Sequence, residues 1–235
     1  MSIPQYIKNI SLDVFGKTND HNKIDLWKVN IGDIEGDMQS IPEILSDDEV
    51  DRASKYRLNS DKVNFIISRT ILKIILSSYL EKHPKDIVFS YTNTLKPVLN
   101  MQGRNRICFN VSHSNGLILY AVSRGDEVGI DVEYIPSILN CDMLVKSFFS
   151  SGEREYLSLV PQEKRQKEFT KIWVTKEAYL KATAKGMSGI KGVEVIIKKN
   201  KPSMLECGGG GGSSDKWKIH QFEPEKGYVA SIVYK

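Results

Sequence analysis

Cysteine is scarce, and the three present do not form a set. Cys108, Cys141 and Cys207 are odd in number and share no metal-ligand spacing, so neither a disulfide framework nor a thiolate metal site is expected. They read as buried or incidental thiols, and the chain is expected in the reducing cytoplasm. Long apolar runs are missing as well. The most apolar stretch, Ile66 to Leu80, is interrupted by Arg69 and Lys73, and falls short of the roughly 20 residues a membrane span needs. The first residues show no charged segment followed by an apolar core, so no signal peptide is read there. Charge of one sign does not dominate: 33 Lys and Arg against 29 Asp and Glu leave a net charge of +4. The lysines are scattered and not interleaved with aromatics, which argues against nucleic acid. A phosphorylated small molecule and an acidic partner account for the same mild positive charge. A phosphate-binding glycine loop is also absent, because Gly208 to Gly212 leads into Ser213 and Ser214 with no Gly-Lys-Ser/Thr. That stretch reads as a flexible loop, natural or engineered, and carries no chemistry.

What is present is an ordinary globular chain. Its 235 residues, 40% hydrophobic and 26% charged, are enough for a sizeable core without staples. Ile24 to Ile31 alternates apolar and polar residues, as a half-buried strand does. Ser46-Asp47-Asp48-Glu49 matches a capping box that opens a short helix. Apolar residues at Val63, Ile66, Ile67, Ile71, Ile74 and Ile75 recur at helical spacing behind a cap at Ser60 or Asp61, and His83-Pro84 ends that helix. Strands are read at 87–91, 107–111 and 117–123. A second cycle follows, with a strand at 127–134 and helices near 143–149, 152–160 and 167–184. Strands at 193–197, 216–222 and 227–234 close it. The expected class is α+β, with two similar subdomains, residues 1–125 and 126–235, that meet near Gly125. No sequence repeat is visible between them.

Three segments could carry chemistry. In Gly129-Ile130-Asp131-Val132-Glu133 the two carboxylates lie two apart, on one face of a strand. Side-by-side carboxylates repel unless a cation lies between them, and Mg²⁺ commonly takes one or two carboxylates plus substrate phosphates. A solvated strand face explains the pair equally well. In Trp173-Val174-Thr175-Lys176-Glu177-Ala178-Tyr179-Leu180-Lys181, Glu177 and Lys181 stand one helical turn apart, fit for a third metal ligand and a phosphate contact or for a plain surface ion pair. In Phe109-Asn110-Val111-Ser112-His113-Ser114, a hydroxyl and an imidazole reach a strand end. A hydrolase reading fails there, because adjacent strand residues point apart and no Gly-x-Ser-x-Gly elbow is present.

Taken together and in this order, the three segments resemble the Sfp-type 4′-phosphopantetheinyl transferase family. Glu49-Val50-Asp51-Arg52-Ala53, Lys96-Pro97, and Phe148-Phe149-Ser150 before Glu153 support the resemblance, which spans roughly residues 46–189. It implies a pseudo-dimer of two α+β halves with the active site at their interface. The N-terminal half would contact coenzyme A; the C-terminal half would bear the Mg²⁺ motifs and dock the carrier protein. The implied enzyme is of the holo-[acyl-carrier-protein] synthase type, moving phosphopantetheine from coenzyme A to a serine of an acidic acyl or peptidyl carrier protein and releasing 3′,5′-ADP. The resemblance assigns Mg²⁺ to Asp131, Glu133 and Glu177. It gives Lys181 the diphosphate, and the phosphates of coenzyme A to Ser112, His113, Arg52 and Lys96. The serine proton would go to Glu153, to Glu177 or to a metal-bound water, although Glu153 also completes a Ser150-x-x-Glu153 capping box. A monomer is expected, with no membrane or nucleic-acid partner. One departure concerns Glu49, which stands where some members carry a second basic residue.

Overall fold

The computed structural model describes residues 8–10, 24–34, 44–103, 105–135, 141–198, 201–206 and 217–235. The Gly208–Gly212 loop, Cys207 and His21 lie outside them. The described residues mix helix and antiparallel sheet, as the sequence predicts. β1 (Lys8–Ile10) and β2 (Ile24–Asn30) precede a short helix α1 (Asp47–Ser54) and a long one, α2 (Asn59–Leu80). A small hairpin of β3 (Ser90–Tyr91) and β4 (Pro97–Val98) leads into β5 (Ile107–Ser114) and β6 (Leu117–Arg124). β7 (Val128–Tyr134) then starts a second series: α3 (Cys141–Phe148), α4 (Ser151–Leu159) and α5 (Gln162–Thr183). The hairpin β8 (Val193–Lys198) and β9 (Lys201–Glu206) follows, then β10 (Lys218–Phe222) and β11 (Tyr228–Tyr234).

Two sheets organise the chain, one ordered β1-β2-β6-β5 and the other β10-β11-β7. All their pairings are antiparallel. In each series the first long strand pairs with the last, and the last pairs with the one before it. β2 pairs β6, which pairs β5; β7 pairs β11, which pairs β10. The match extends to the helices. Each series has a short helix opened by a Ser-x-x-Glu capping box, at Ser46 and at Ser150, followed by a helix of 22 residues that stops at a left-handed cap, Glu81 or Ala184. The repeat that the sequence hides is therefore plain in the topology.

The long helices form for different local reasons. α2 starts at Asn59 after Leu58, with no side-chain cap, so neither Ser60 nor Asp61 caps it. It is long and apolar enough to cross a membrane by length and composition, yet 56% of its most apolar window is buried inside the molecule. Ile67, Ile71, Leu72, Ile75 and Leu76 pack there against Ile107, Phe109, Ile118 and Tyr120 of the first sheet. α5 starts behind Pro161, five residues earlier than its sequence pattern suggests, and buries Phe169, Ile172, Trp173 and Tyr179 against the hairpin residues Val193 and Val195. The two sheets share a third cluster, in which Leu117 and Leu119 meet Ile130, Val132 and Ile232.

One glycine fixes how closely α5 approaches its sheet. A Cβ on Gly129 of β7 would collide with the carbonyl oxygen of Ala178 and the amide of Ala182, both backbone atoms of α5. The bare Cα lets the helix lie directly on the strand. This contact brings Glu177 and Lys181 over Asp131.

Candidate active site

The site forms along a seam. β5 is the edge of the first sheet and β7 the edge of the second, and no backbone ladder joins them. Side chains close the gap. Asn110 Oδ1 accepts the amide of Ile130 at 2.9 Å, Ser112 Oγ that of Val132 at 3.3 Å, and Ser114 Oγ that of Tyr134 at 3.0 Å. Alternate residues of β5 therefore satisfy alternate amides of β7, as the two-residue period of a strand requires. The two-residue Asn115-Gly116 turn, with φ of 45° and 85°, folds β5 back onto β6.

Asp131 is 2% exposed, so the solvated strand face is ruled out. Its Oδ1 accepts from Lys181 Nζ at 2.6 Å and from Ser112 Oγ at 2.8 Å, and Lys181 Nζ also reaches Ser112 Oγ at 3.0 Å. Asp131 Oδ2 is buried with no hydrogen-bond partner. Glu133, half-buried on the same strand, accepts from Ser114 Oγ at 2.8 Å. Lys181 therefore pairs with Asp131 of the strand beneath its helix and not with its helical neighbour Glu177, so the surface-pair alternative is also excluded.

A cleft of about 240 Å³ opens beside this group. Thr94, Leu95, Lys96 and Pro97 of the β3–β4 hairpin form one wall, Asn110 and Val111 of β5 the floor. Glu177, Leu180, Lys181, Ala184, Gly186 and Met187, at the end of α5, form the other wall. Anionic crowding marks the helix side. Burial first, then the charges of Asp131 and Glu133, push the Glu177 carboxyl up to about 7. Burial and Asp131 likewise raise Glu133. Burial alone would lower the Lys181 ammonium, but Asp131, Glu177 and Glu133 outweigh it and hold its pKa above the ordinary value. Across the cleft, burial lowers Lys96, whose Nζ lies 3.4 Å from the carbonyl oxygen of Ala182.

The donor set suits a hard divalent cation: every ligand is an oxygen, and one buried carboxylate oxygen has no partner. In the arrangement described the Lys181 ammonium supplies the positive charge at Asp131. With Lys181 seated on Asp131, no three His, Cys, Asp or Glu side chains among the described residues stand as a ready-made metal group, and Asp131, Glu133 and Glu177 would have to close on a cation as the ammonium leaves.

The other residues named from sequence are less centrally placed. Ser112 is 5% exposed and spends its one proton on Asp131, so its hydroxyl is not free to donate to a phosphate. His113 is exposed near the end of β5 and does not line the cleft; burial of part of the ring, then Lys181, lowers its pKa. Arg52 stacks its guanidinium over Phe65 at 5.6 Å and Tyr91 at 5.3 Å, behind the hairpin and outside the cleft lining.

Glu153 requires a correction. It is 1% exposed, and both its oxygens are engaged. Oε1 accepts from Lys176 Nζ at 3.0 Å and from the Val195 amide at 2.7 Å; Oε2 accepts from Lys176 Nζ at 2.9 Å and from the Ser150 amide at 2.8 Å. The capping role is the one the structure shows, joined to a buried ion pair with Lys176. In the sequence Lys176 has no role beyond its place in the segment 173–181. Its signal is a lone lysine in an apolar helix stretch, and the other long helix has the same feature. Lys73, also fully buried, pairs with the capping-box Glu49 at 2.7 Å. Glu49 is thus an interior residue and does not contribute to the basicity of a nucleotide site.

Comparison with known proteins identifies the family. Residues 127–233 match the 4′-phosphopantetheinyl transferase superfamily, and residues 33–124 match the N-terminal domain of 4′-phosphopantetheinyl transferases. The chain is 32% identical over 212 residues to the 4′-phosphopantetheinyl transferase HetI of Nostoc sp., an overlap covering 90% of this chain and 87% of that protein. It is 30% identical over 137 residues to the 4′-phosphopantetheinyl transferase psf-1 of Bacillus pumilus, covering 58% of this chain and 56% of that one. A solved holo-[acyl-carrier-protein] synthase of Thermotoga maritima overlays 46% of this chain and 61% of its own, with a TM-score of 0.38 and 17% identity. By its two matched segments and its relatives, this chain belongs to the Sfp-type 4′-phosphopantetheinyl transferase family.

Proposed function

We propose that the chain transfers the 4′-phosphopantetheine group of coenzyme A to a serine hydroxyl of an acyl or peptidyl carrier protein, with Mg²⁺ as cofactor. The observation that carries this reading is a cleft lined by Glu177 and Lys181, with the buried Asp131 bonded to Lys181 beside it and Lys96 on the opposite wall. Asp131, Glu133 and Glu177 would hold the cation. When bound, it would neutralise diphosphate charge and act as a Lewis acid on the phosphoryl oxygens. Lys181 binds the diphosphate once phosphate competes with Asp131 for its ammonium, and Lys96 holds phosphate from the hairpin side. Together they orient the reacting phosphorus, so catalysis is mainly positional and electrostatic.

In the transfer, the serine Oγ forms a bond to the phosphorus next to pantetheine. The bond from that phosphorus to the bridging oxygen breaks, and 3′,5′-ADP departs with the electron pair. Glu177 receives the serine proton: it faces the cleft, whereas Glu153 is closed off by Lys176. The carrier would dock on the C-terminal half, where Met143 and Leu159 are 62% and 79% exposed beside the exposed Lys146 and Lys164. Phe149 is buried and belongs to the core. Such a surface suits an acidic partner met by a monomer in the cytoplasm.

The test is direct. Purified protein, coenzyme A and Mg²⁺ are mixed with an apo carrier, and the carrier is weighed by mass spectrometry. Gain of one phosphopantetheine, lost on chelation of the metal, is expected. An unchanged carrier mass across a panel of apo carriers would overturn the reading.

A further inference from the structure

Two serines of β5 stand opposite two carboxylates of β7 in matching order. Ser112 Oγ donates to Asp131 Oδ1 at 2.8 Å, and Ser114 Oγ donates to Glu133 Oε2 at 2.8 Å. Each hydroxyl oxygen at the same time accepts the amide of the residue that follows its carboxylate, Val132 for Ser112 and Tyr134 for Ser114. A serine hydroxyl has one proton and two lone pairs. With its oxygen held by a backbone amide, the direction of the O–H is set toward the carboxylate. Asn110, the next residue of the series, accepts the amide of Ile130 in the same way but has no carboxylate to orient. The hydroxyls thus occur where β7 carries an acid.

We infer that Ser112 and Ser114 are positioning residues, a hydroxyl ladder by which the first sheet aims the cation-binding carboxylates of the second; this rests on the Mg²⁺ reading above. A carboxylate that donates one oxygen to a metal gains when its other oxygen is fixed by a hydrogen bond, because its rotation is already restricted. The ladder also makes the site a property of both halves, although every cation ligand sits on the second. Ser114 separates the two possible roles of these serines best, since it touches Glu133 and not Lys181.

The test uses the whole chain with coenzyme A present and reads Mn²⁺ binding by electron paramagnetic resonance. Partners of metal ligands commonly govern affinity by a factor of ten or more, so Ser114→Ala should weaken Mn²⁺ binding by roughly tenfold. Ser114→Thr, which keeps the hydroxyl, should restore wild-type affinity. Thermal melts without metal serve as the control for a merely structural role. A lower melting temperature for Ser114→Ala with unchanged Mn²⁺ affinity well below the melt would overturn the proposal and leave the metal reading standing. No Mn²⁺ binding by the wild-type chain would overturn the metal reading itself, and the ladder with it.

Discussion

The two halves of this molecule are built alike and equipped differently. Both run a first strand, a capped short helix, a 22-residue helix, a hairpin and two closing strands, and both lock the short helix to the long one through a buried Glu–Lys pair. Lys73 is the fifteenth residue of α2 and Lys176 the fifteenth of α5. Around that shared lock the residues diverge. The fourth and sixth residues of the first strand are Trp27 and Val29 in β2, but Asp131 and Glu133 in β7. One residue past the buried lysine stands Ile74 in α2 and Glu177 in α5. A turn further on, Ser78 stands where α5 has Lys181. The first half has apolar residues at three of these four positions and an exposed serine at the last, where the second gathers charge at all four. The Glu–Lys lock therefore belongs to the scaffold, since it recurs in the half without the carboxylates, and the chemistry belongs to four positions added on one side only.

The sharpest way to break the comparison is at Gly129. Its counterpart in β2 is Asp25, so the first half tolerates a side chain where the second cannot. Gly129→Ala would drive a methyl group into the backbone of α5 at Ala178 and Ala182. Overpacking of this kind against backbone costs about 3 kcal/mol or more. The expected outcome is a chain that fails to fold or melts far lower, read by circular dichroism.

Next come the two locks. Lys176→Met strands the buried Glu153, and breaking such a pair typically costs about 3–5 kcal/mol. Lys73→Met leaves Glu49 with Arg69 at 3.6 Å, so urea unfolding should show the smaller loss there. Transfer activity per folded molecule should persist in Lys73→Met and drop in Lys176→Met, whose neighbour Glu177 lines the cleft. Equal retention of activity in both would mean that the second lock does not position the site.

These pairs also show where sequence reading stops. Both capping boxes were legible, because four consecutive residues suffice to define them. The fate of Glu153 was not, since Lys176 and the Val195 amide that engage it come from α5 and β8, far along the chain. β3 and β4, two residues each, are too short to show a period of two. The likeness of the two halves follows from element order, as the sequence predicts; it shows no residue repeat because the matched residues, Trp27 and Asp131 among them, share no chemistry. The three motif segments do meet beside one cleft. What they could not show is that Ser112 is already bonded to Asp131, or that Arg52 stacks on Tyr91 outside the cleft lining.

A smaller effect is expected from pH. The Glu177 carboxyl is raised in the folded state from 4.5 to about 7, so the folded chain binds a proton that the unfolded chain releases. This group's contribution to stability is therefore complete below about pH 4.5 and is lost as pH rises through 7. Ile74 in the matching place contributes no such slope. Thermal melts of metal-free protein between these limits should lose that part of the pH slope in Glu177→Gln, and Mg²⁺ binding below pH 7 should release protons in calorimetry. An identical slope in the variant would move the titration to another group. Least of all should the outer surface matter: Lys146→Glu with Lys164→Glu should raise the KM for the carrier by roughly threefold to tenfold at low salt, and less at high salt, with the KM for coenzyme A unchanged.

The central claim is that the reaction depends on charges present only in the second half. Single-turnover transfer by Glu177→Gln and Asp131→Asn, at saturating coenzyme A and Mg²⁺ and with folding checked by circular dichroism, tests it most directly. Both folded variants are expected to lose roughly a hundredfold or more of the transfer rate. Near wild-type transfer by either one would contradict the claim.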